Sequence, residues 1–430
     1  MNKRAAFSSF IGNTLEFYDF ALYGALAGLF TRLFFPNSDP ASSLFLNGVG
    51  VFSIGLIARP LGGLIFGYIG DRYSRRLALS LSMYLMAILS FIITVVPTYE
   101  VIGIFAPILL VSARILQGFC TGGEYNGAAI FALEHQKKEH KGLVSGMMTA
   151  SSASGLLLAT IVSFIFTNTS LPEWAWRVPF LFGMFIAMFG YYIRRKNLES
   201  PEFQKALQQK AFTNAPILDA LEKHRLQMVI TALIAGQTAV LAYMMFTLIN
   251  PTTILPELQH FSRNQLYLLS VIGLFSFASM CVVSGHMADK VRYNKVHIML
   301  VASVLTTVLI TPIFHLLLSG AYPLAIIGQI LFGALTGLHA GPQHIYMQEL
   351  FPNTSRYSAV SFSFSLGTGI LGGITPQISG LMIKAVGNPS LWVIITSCTL
   401  CLSLLYIQRY NAFERFNKRR AAHAFNKKIF

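Results

Sequence analysis

The most constraining feature of the chain is a succession of apolar runs, each near or beyond the roughly 18 residues that mark a membrane-crossing helix. Within a bilayer the backbone must satisfy its own hydrogen bonds, and runs of this length specify helices. Twelve spans are read, at about 5–34, 44–70, 77–96, 101–133, 143–168, 176–195, 226–249, 265–289, 295–318, 321–349, 357–385 and 390–410. Only 11% of the residues are charged and 54% are hydrophobic, whereas a soluble domain is about a quarter charged. The reading is an all-α polytopic membrane protein. The first run is too long and too charged for a cleavable signal peptide, so it is expected to stay as an anchor.

The net charge of +15 would point to nucleic acid in a soluble protein. Here the positive-inside rule accounts for it. With the N-terminus in the cytoplasm, 26 of the 32 Lys and Arg residues fall on the cytoplasmic side. No nucleic-acid partner is expected. The basic tail (Arg415, Lys418, Arg419, Arg420, Lys427, Lys428) suits anionic lipid headgroups.

Loops between spans are short except 196–225, which is polar, basic and contains Pro201 and Pro216. It reads as a cytoplasmic linker between a six-helix bundle at 1–195 and another at 226–410, with a basic tail at 411–430. An internal repeat supports the division. Gly67-Tyr-Ile-Gly-Asp71-Arg72 follows the second span, with Arg75 and Arg76 close behind, and Gly285-His-Met-Ala-Asp289-Lys290 follows the eighth. A parallel repeat of this kind is a transporter signature. Its Asp can bond backbone amides and its cations hold the loop inside, so Gly67, Asp71, Arg72, Arg75, Arg76 and Asp289 are assigned to gating.

Charges inside the spans carry the chemistry, because an intramembrane charge is costly and marks a substrate or proton path. Glu16 and Asp19 lie three residues apart in the first span, on one helix face. Arg114, Gln117, Thr121 and Glu124 descend the fourth span at steps of three and four. At a rise of about 1.5 Å per residue, Asp19, Arg59 and Arg114 all come about 20 Å from a span end, near the midplane. Arginine stays charged and grips a carboxylate with two parallel hydrogen bonds. An ionised Asp19 would pair with Arg114, and a protonated Asp19 would release it to an anionic substrate, with Glu16 and Glu124 as reserve proton carriers. Arg59, beside Pro60, reads equally as a substrate contact or a structural partner for a carboxylate. Tyr23, Gln117, Gln237, Tyr243, His339 and Gln343 complete the substrate-facing set, His339 also fitting a packing role.

Cys120, Cys281, Cys398 and Cys401 all sit in apolar spans and read as packing residues. His344 and Glu349 lack the spacing of a helical zinc site, and no Walker-type phosphate loop occurs. No nucleophile triad, metal cluster or cofactor motif suggests an enzyme.

Several blocks stand in order along nearly the whole chain: Gly12-Asn13-x-Leu15-Glu16-Phe17-Tyr18-Asp19-Phe20-x-x-Tyr23-Gly24, Ala58-Arg59-Pro60-Leu61-Gly62-Gly63, Arg114-x-Leu116-Gln117-Gly118, Trp176-Arg177-Val178-Pro179-Phe180, Glu199-Ser200-Pro201-x-Phe203 and Glu349-Leu350-Phe351-Pro352. Together they resemble the metabolite:proton symporters of the major facilitator superfamily. The resemblance implies uptake of a small organic acid or zwitterion with a proton, in a bacterial inner membrane, by a monomer. Ser74 stands where that family's first loop has glycine, and the second loop lacks its Gly-Arg-Arg ending. The long coiled-coil tail of osmosensing relatives is missing, so osmotic regulation is not expected. Three alternatives stay open: a proton antiporter exporting a metabolite or drug, uptake of a larger polycarboxylate metal chelator, and a non-transporting nutrient sensor.

Overall fold

The computed structural model describes residues 3–35, 48–166, 171–209, 215–247, 261–290 and 294–426. The ends of the second, fifth and seventh expected spans, residues 291–293 of the second signature loop, and Lys427 and Lys428 of the basic tail lie outside the described residues.

Among these residues the elements are all helical. The first span forms α1 (Lys3–Ala25) and, after a break at Leu26, α2 (Ala27–Phe34). Then come α3 (Gly48–Arg72), α4 (Arg75–Val95), a short α5 (Tyr99–Ile102), α6 (Phe105–Glu134), α7 (Lys141–Phe166) and α8 (Arg177–Arg195). Ten helical stretches, from Arg75–Val95 to Ser390–Tyr410, are long and apolar enough to cross a membrane. At 23 and 25 residues α1 and α3 also have crossing length, and two buried acids lower the hydropathy of α1.

The 196–225 segment, read from sequence as a polar linker, contains two helices, α9 (Pro201–Gln208) and α10 (Pro216–Lys223). The prolines are the reason. Each stands in the first turn, where its fixed φ suits a helix and its missing N–H would have no partner anyway. Ser200 caps α9 by accepting from the Phe203 N–H.

The later spans are α11 (Arg225–Thr247), α12 (Arg263–Asp289), α13 (Lys295–Leu317), α14 (Tyr322–Ala340) with α15 (Gln343–Glu349), α16 (Arg356–Gly367) with α17 (Gly373–Val386), and α18 (Ser390–Asn426). The tenth span breaks at Gly341-Pro342, and the eleventh passes through a π-helical turn at Thr368–Gly372. The last helix runs well past residue 410, where the sequence suggests it ends.

Before the linker, α6 packs on α3 and α4, α4 on α8, and α1 on α7. After it, α14 packs on α12 and α13, and α11 and α13 pack on α18. The two sets meet along α7 against α12 and α3 against α16. The site lies where α1, α3, α4 and α6 meet α11.

Candidate functional site

Asp19 and Arg114 come together, but they do not touch as the sequence suggests. Gln117 stands between them. Its amide nitrogen donates to Asp19 Oδ2 at 2.5 Å, and its Oε1 accepts from Arg114 Nη1 at 2.7 Å. Lying one turn from Arg114 on the same face of α6, Gln117 reaches both groups at once. Ser90 of α4 adds a second hydrogen bond to Asp19 Oδ2, also at 2.5 Å, and Arg114 Nη2 donates to the Phe20 carbonyl at 3.2 Å.

Arg114 also lies 4.4 Å from the centroid of the Tyr23 ring and 5.5 Å from that of Phe20. Arg59 of α3 lies 4.6 Å from the same Phe20 ring. Two guanidinium groups therefore share one aromatic ring. Both arginines are buried, and neither makes an ion pair with the described residues. Tyr243 of α11 is in electrostatic reach of Arg59 and packs with Phe20, so the cationic site extends across to the helices after the linker.

Glu16, one turn before Asp19 on α1, and Glu124 of α6 lie beside the same carboxylate. Glu124 pairs with Arg194 of α8 and accepts from Ser82 of α4 at 2.5 Å. Gly12 makes room for that arginine: a Cβ there would stand 2.2 Å from Arg194 Nη2. Glu16, Asp19 and Glu124 line one internal cavity of about 20 Å³ between α1, α4, α6 and α8.

The other polar residues are scattered. Gln343 accepts from Thr238 of α11 at 2.7 Å and donates to Thr149 of α7 at 3.3 Å, tying helices before and after the linker together. His339 makes one contact, at 3.4 Å, to the Ile234 carbonyl. Gln237 donates to Ser397 of α18 at 2.6 Å, within the later helices and apart from the arginines. His344 reaches the Tyr125 hydroxyl of α6 at 3.0 Å.

The repeated loops act across the interface. Asp71 accepts from the backbone N–H groups of Tyr357 and Ser358, at 3.1 and 2.8 Å, at the start of α16. Asp289 accepts from those of Gly142 and Leu143, at 2.6 and 2.7 Å, at the start of α7. Each aspartate thus caps a helix belonging to the other set. Gly67 and Gly285 let the backbones close: a Cβ would stand 2.6 Å from Ser358 Cα or 2.5 Å from the Gly142 carbonyl.

Arg75 pairs with Asp71 and reaches Glu134 at 3.6 Å and the Asn353 carbonyl at 3.0 Å. Arg356 pairs with Glu134 at 3.3 Å and with Glu202 of α9 at 2.6 Å, and Lys141 joins Glu202 at 3.0 Å. Ser74 caps α4 by accepting from the Leu77 N–H and donates to Glu199, so the serine in place of glycine joins this loop to the linker. Arg76 holds the Asn197 carbonyl at 3.1 Å, while Arg72 is half-buried at the rim.

A family model described as Major Facilitator Superfamily matches residues 9–376 and 238–427. The chain belongs to the major facilitator superfamily. Among its relatives within the superfamily is the inner membrane metabolite transport protein YhjE of Escherichia coli K12, 32% identical over 380 residues, 86% of each chain. The proline/betaine transporter of the same organism is 28% identical over 399 residues, covering 90% of this chain and 79% of the relative. The fold is shared with a proton:xylose symporter, XylE, at a TM-score of 0.72 and 16% identity over 95% of both chains. This superfamily member is an integral membrane secondary transporter, not an enzyme.

Sequence reasoning missed Arg194, Ser82, Ser90 and Phe20. Arg194 stands first in Arg194-Arg195-Lys196 and reads as one more inside-facing charge. The usable signal was Glu124, a buried acid for which the sequence reading named no cation.

Proposed function

We propose that this transporter is a proton-coupled importer of a small organic anion or zwitterion. One observation carries the reading: Arg59 and Arg114 lie buried against the same Phe20 ring, and neither makes a direct ion pair with a carboxylate of the described residues. Two buried cations without a direct ion pair are costly inside a membrane, and a substrate carboxylate would relieve both. The names of the relatives, a metabolite transporter and a proline/betaine transporter, support a small carboxylate-bearing substrate. Proline and betaine are zwitterions that would offer Arg114 a carboxylate and leave a cationic end for the aromatic rings.

Asp19 takes the coupled proton. Ionised, it holds Gln117 and through it Arg114. Once Asp19 is protonated, that hold weakens and the arginine is free to grip substrate. The bundles at 1–195 and 226–410 then rock about the site, and Asp71 and Asp289 gate the side bearing the linker. That side is cytoplasmic by the distribution of basic residues.

The test is reconstitution in liposomes with an imposed pH gradient, using labelled proline, betaine and small carboxylates. Asp19→Asn is expected to keep exchange of labelled for unlabelled substrate and to lose uphill accumulation. Arg114→Ala is expected to lower affinity about a hundredfold, the loss of a few kcal/mol of bidentate, charge-assisted bonding. Expulsion of substrate on outside acidification identifies an antiporter, and accumulation that survives Asp19→Asn removes Asp19 from the coupling role.

A further inference from the structure

Resting on the reading that Asp19 takes up the coupled proton, we infer that the proton leaves it by a separate route inside the helices before the linker. It passes through a single buried water to Glu16, with Glu124 beyond and Arg194 as the residue that positions Glu124. The proton would then leave through the cavity that α1, α4, α6 and α8 enclose, which neither Arg114 nor Phe20 lines, while substrate stays with those two residues.

The cavity behind α1 has about 20 Å³ and is lined by Glu16, Asp19, Ser90, Glu124, Gly183 and Ala187 among others. One water needs about 10–15 Å³ on that measure, and several polar partners. The partners are present. Glu16 has only the Thr121 hydroxyl of α6 in reach and no hydrogen bond of good geometry, and Asp19 Oδ1 has no protein partner. Glu16 and Asp19 are only 4% and 3% exposed. Asp19 therefore faces two ways, with Oδ2 toward Gln117 and Ser90 and Oδ1 without a protein partner.

The charged groups acting on Glu16 are Glu124 of α6, Arg59 of α3 and Arg194 of α8. Cys120 and Tyr125 of α6 also lie near it. Asp19 is faced by Ser90 of α4, Arg114 of α6 and its neighbour Tyr18. In the transfer, the Asp19 O–H bond breaks as its proton bonds to the water, and a water O–H bond breaks as the Glu16 carboxylate becomes protonated. One proton has moved, the water is regenerated, and the negative charge now rests on Asp19. Glu16 is about one turn closer than Asp19 to the end of α1 at the linker side, as an inward exit requires.

The experiment needs no substrate. Infrared difference spectra of the purified full-length protein, recorded between neutral and acidic pH in ordinary and oxygen-18 water, read protonated carboxyls and a confined water separately. The wild type is expected to show carboxyl bands from Asp19 and Glu16 and an isotope-shifted band of one weakly bonded water. Glu16→Gln should remove one carboxyl band and shift the water band, and Glu16→Asp should restore the carboxyl band. Ala187→Leu should abolish the water band and keep the Asp19 band, which also reports that the variant is folded. Gly183→Ala, whose Cβ would stand 3.0 Å from Asp19 Oδ1, should do the same and serves if the leucine variant does not fold. Arg194→Lys should move the Glu16 band without removing it. A water band that survives both filling substitutions, or a spectrum unchanged by Glu16→Gln, overturns the route and leaves the symport reading standing. A spectrum unchanged by Asp19→Asn removes Asp19 from the coupling role, and the route falls with it.

Discussion

Asp289→Ala removes both acceptors from the Gly142 and Leu143 N–H groups, contacts of 2.6 and 2.7 Å that cross the interface. A hydrogen bond to a charged partner contributes about 1.5–3 kcal/mol, and Asp289 is half-buried, which favours the low end. The pair together is then worth about 3 kcal/mol to the closed gate. Every 1.4 kcal/mol is a factor of ten, so the balance between closed and open gates should move roughly a hundredfold toward open. Helix α7 keeps its own fold, because water replaces the lost acceptors once the gate opens. The assay is maleimide labelling from the linker side of Ile345→Cys in a background without the native cysteines. Ile345 is 5% exposed, and its N–H is bonded to Ser145 across the same interface. If Asp289→Ala labels no faster than its parent, the aspartate does not hold the gate and the capping argument fails.

Three other substitutions probe separate parts of the molecule. Arg194→Ala leaves Glu124 buried without its cation and is expected to destabilise by about 3–5 kcal/mol, read as a lowered melting temperature. The double variant Glu124→Gln, Arg194→Met should recover most of that loss. Burial of Glu202 raises its carboxyl, but Arg356 and Lys141 beside it prevail and hold it below the usual glutamate range. Its contribution is therefore complete above that range and is lost as pH falls through the depressed value. The melting-temperature gap between wild type and Glu202→Gln should be constant near neutrality and close only below about pH 4. Ser74→Gly should cost only a few tenths of a kcal/mol as a helix cap, with any larger loss in melting temperature assigned to its bond with Glu199.

The order of the helices was legible because hydropathy and the placement of lysine and arginine report the membrane directly. Asp19, Glu16 and Arg114 stood out because charges are rare in apolar runs. Helix rotation was not legible. A three- or four-residue spacing puts Arg114 and Gln117 on one face of α6, yet it does not say that the amide would stand between Asp19 and the arginine. For the same reason Gln237, equally polar and equally central in its span, could not be told from a cavity residue, and it turned toward Ser397. Arg194 was hidden among cations whose shared position at a helix end explains them as a group. In the linker, Pro201 and Pro216 sit in a polar stretch that reads as loop, whereas a proline in the first turn of a helix starts one.

The exchanged caps make the gate's closing energy of a particular kind. Side-chain ion pairs at an aqueous rim weaken as salt rises, because mobile ions screen them over about 8–10 Å. Asp71 and Asp289 instead hold peptide N–H groups at helix starts, where the partial positive charge belongs to the backbone and cannot move away. Asp71 is almost wholly shielded from solvent, whereas Lys295–Glu349 is an exposed pair. The share of the closing energy that these two caps supply should therefore depend only weakly on ionic strength, whereas the Arg356–Glu134 and Arg356–Glu202 pairs across the same interface should weaken as salt rises. A cell whose internal potassium swings widely would leave these two caps nearly unchanged.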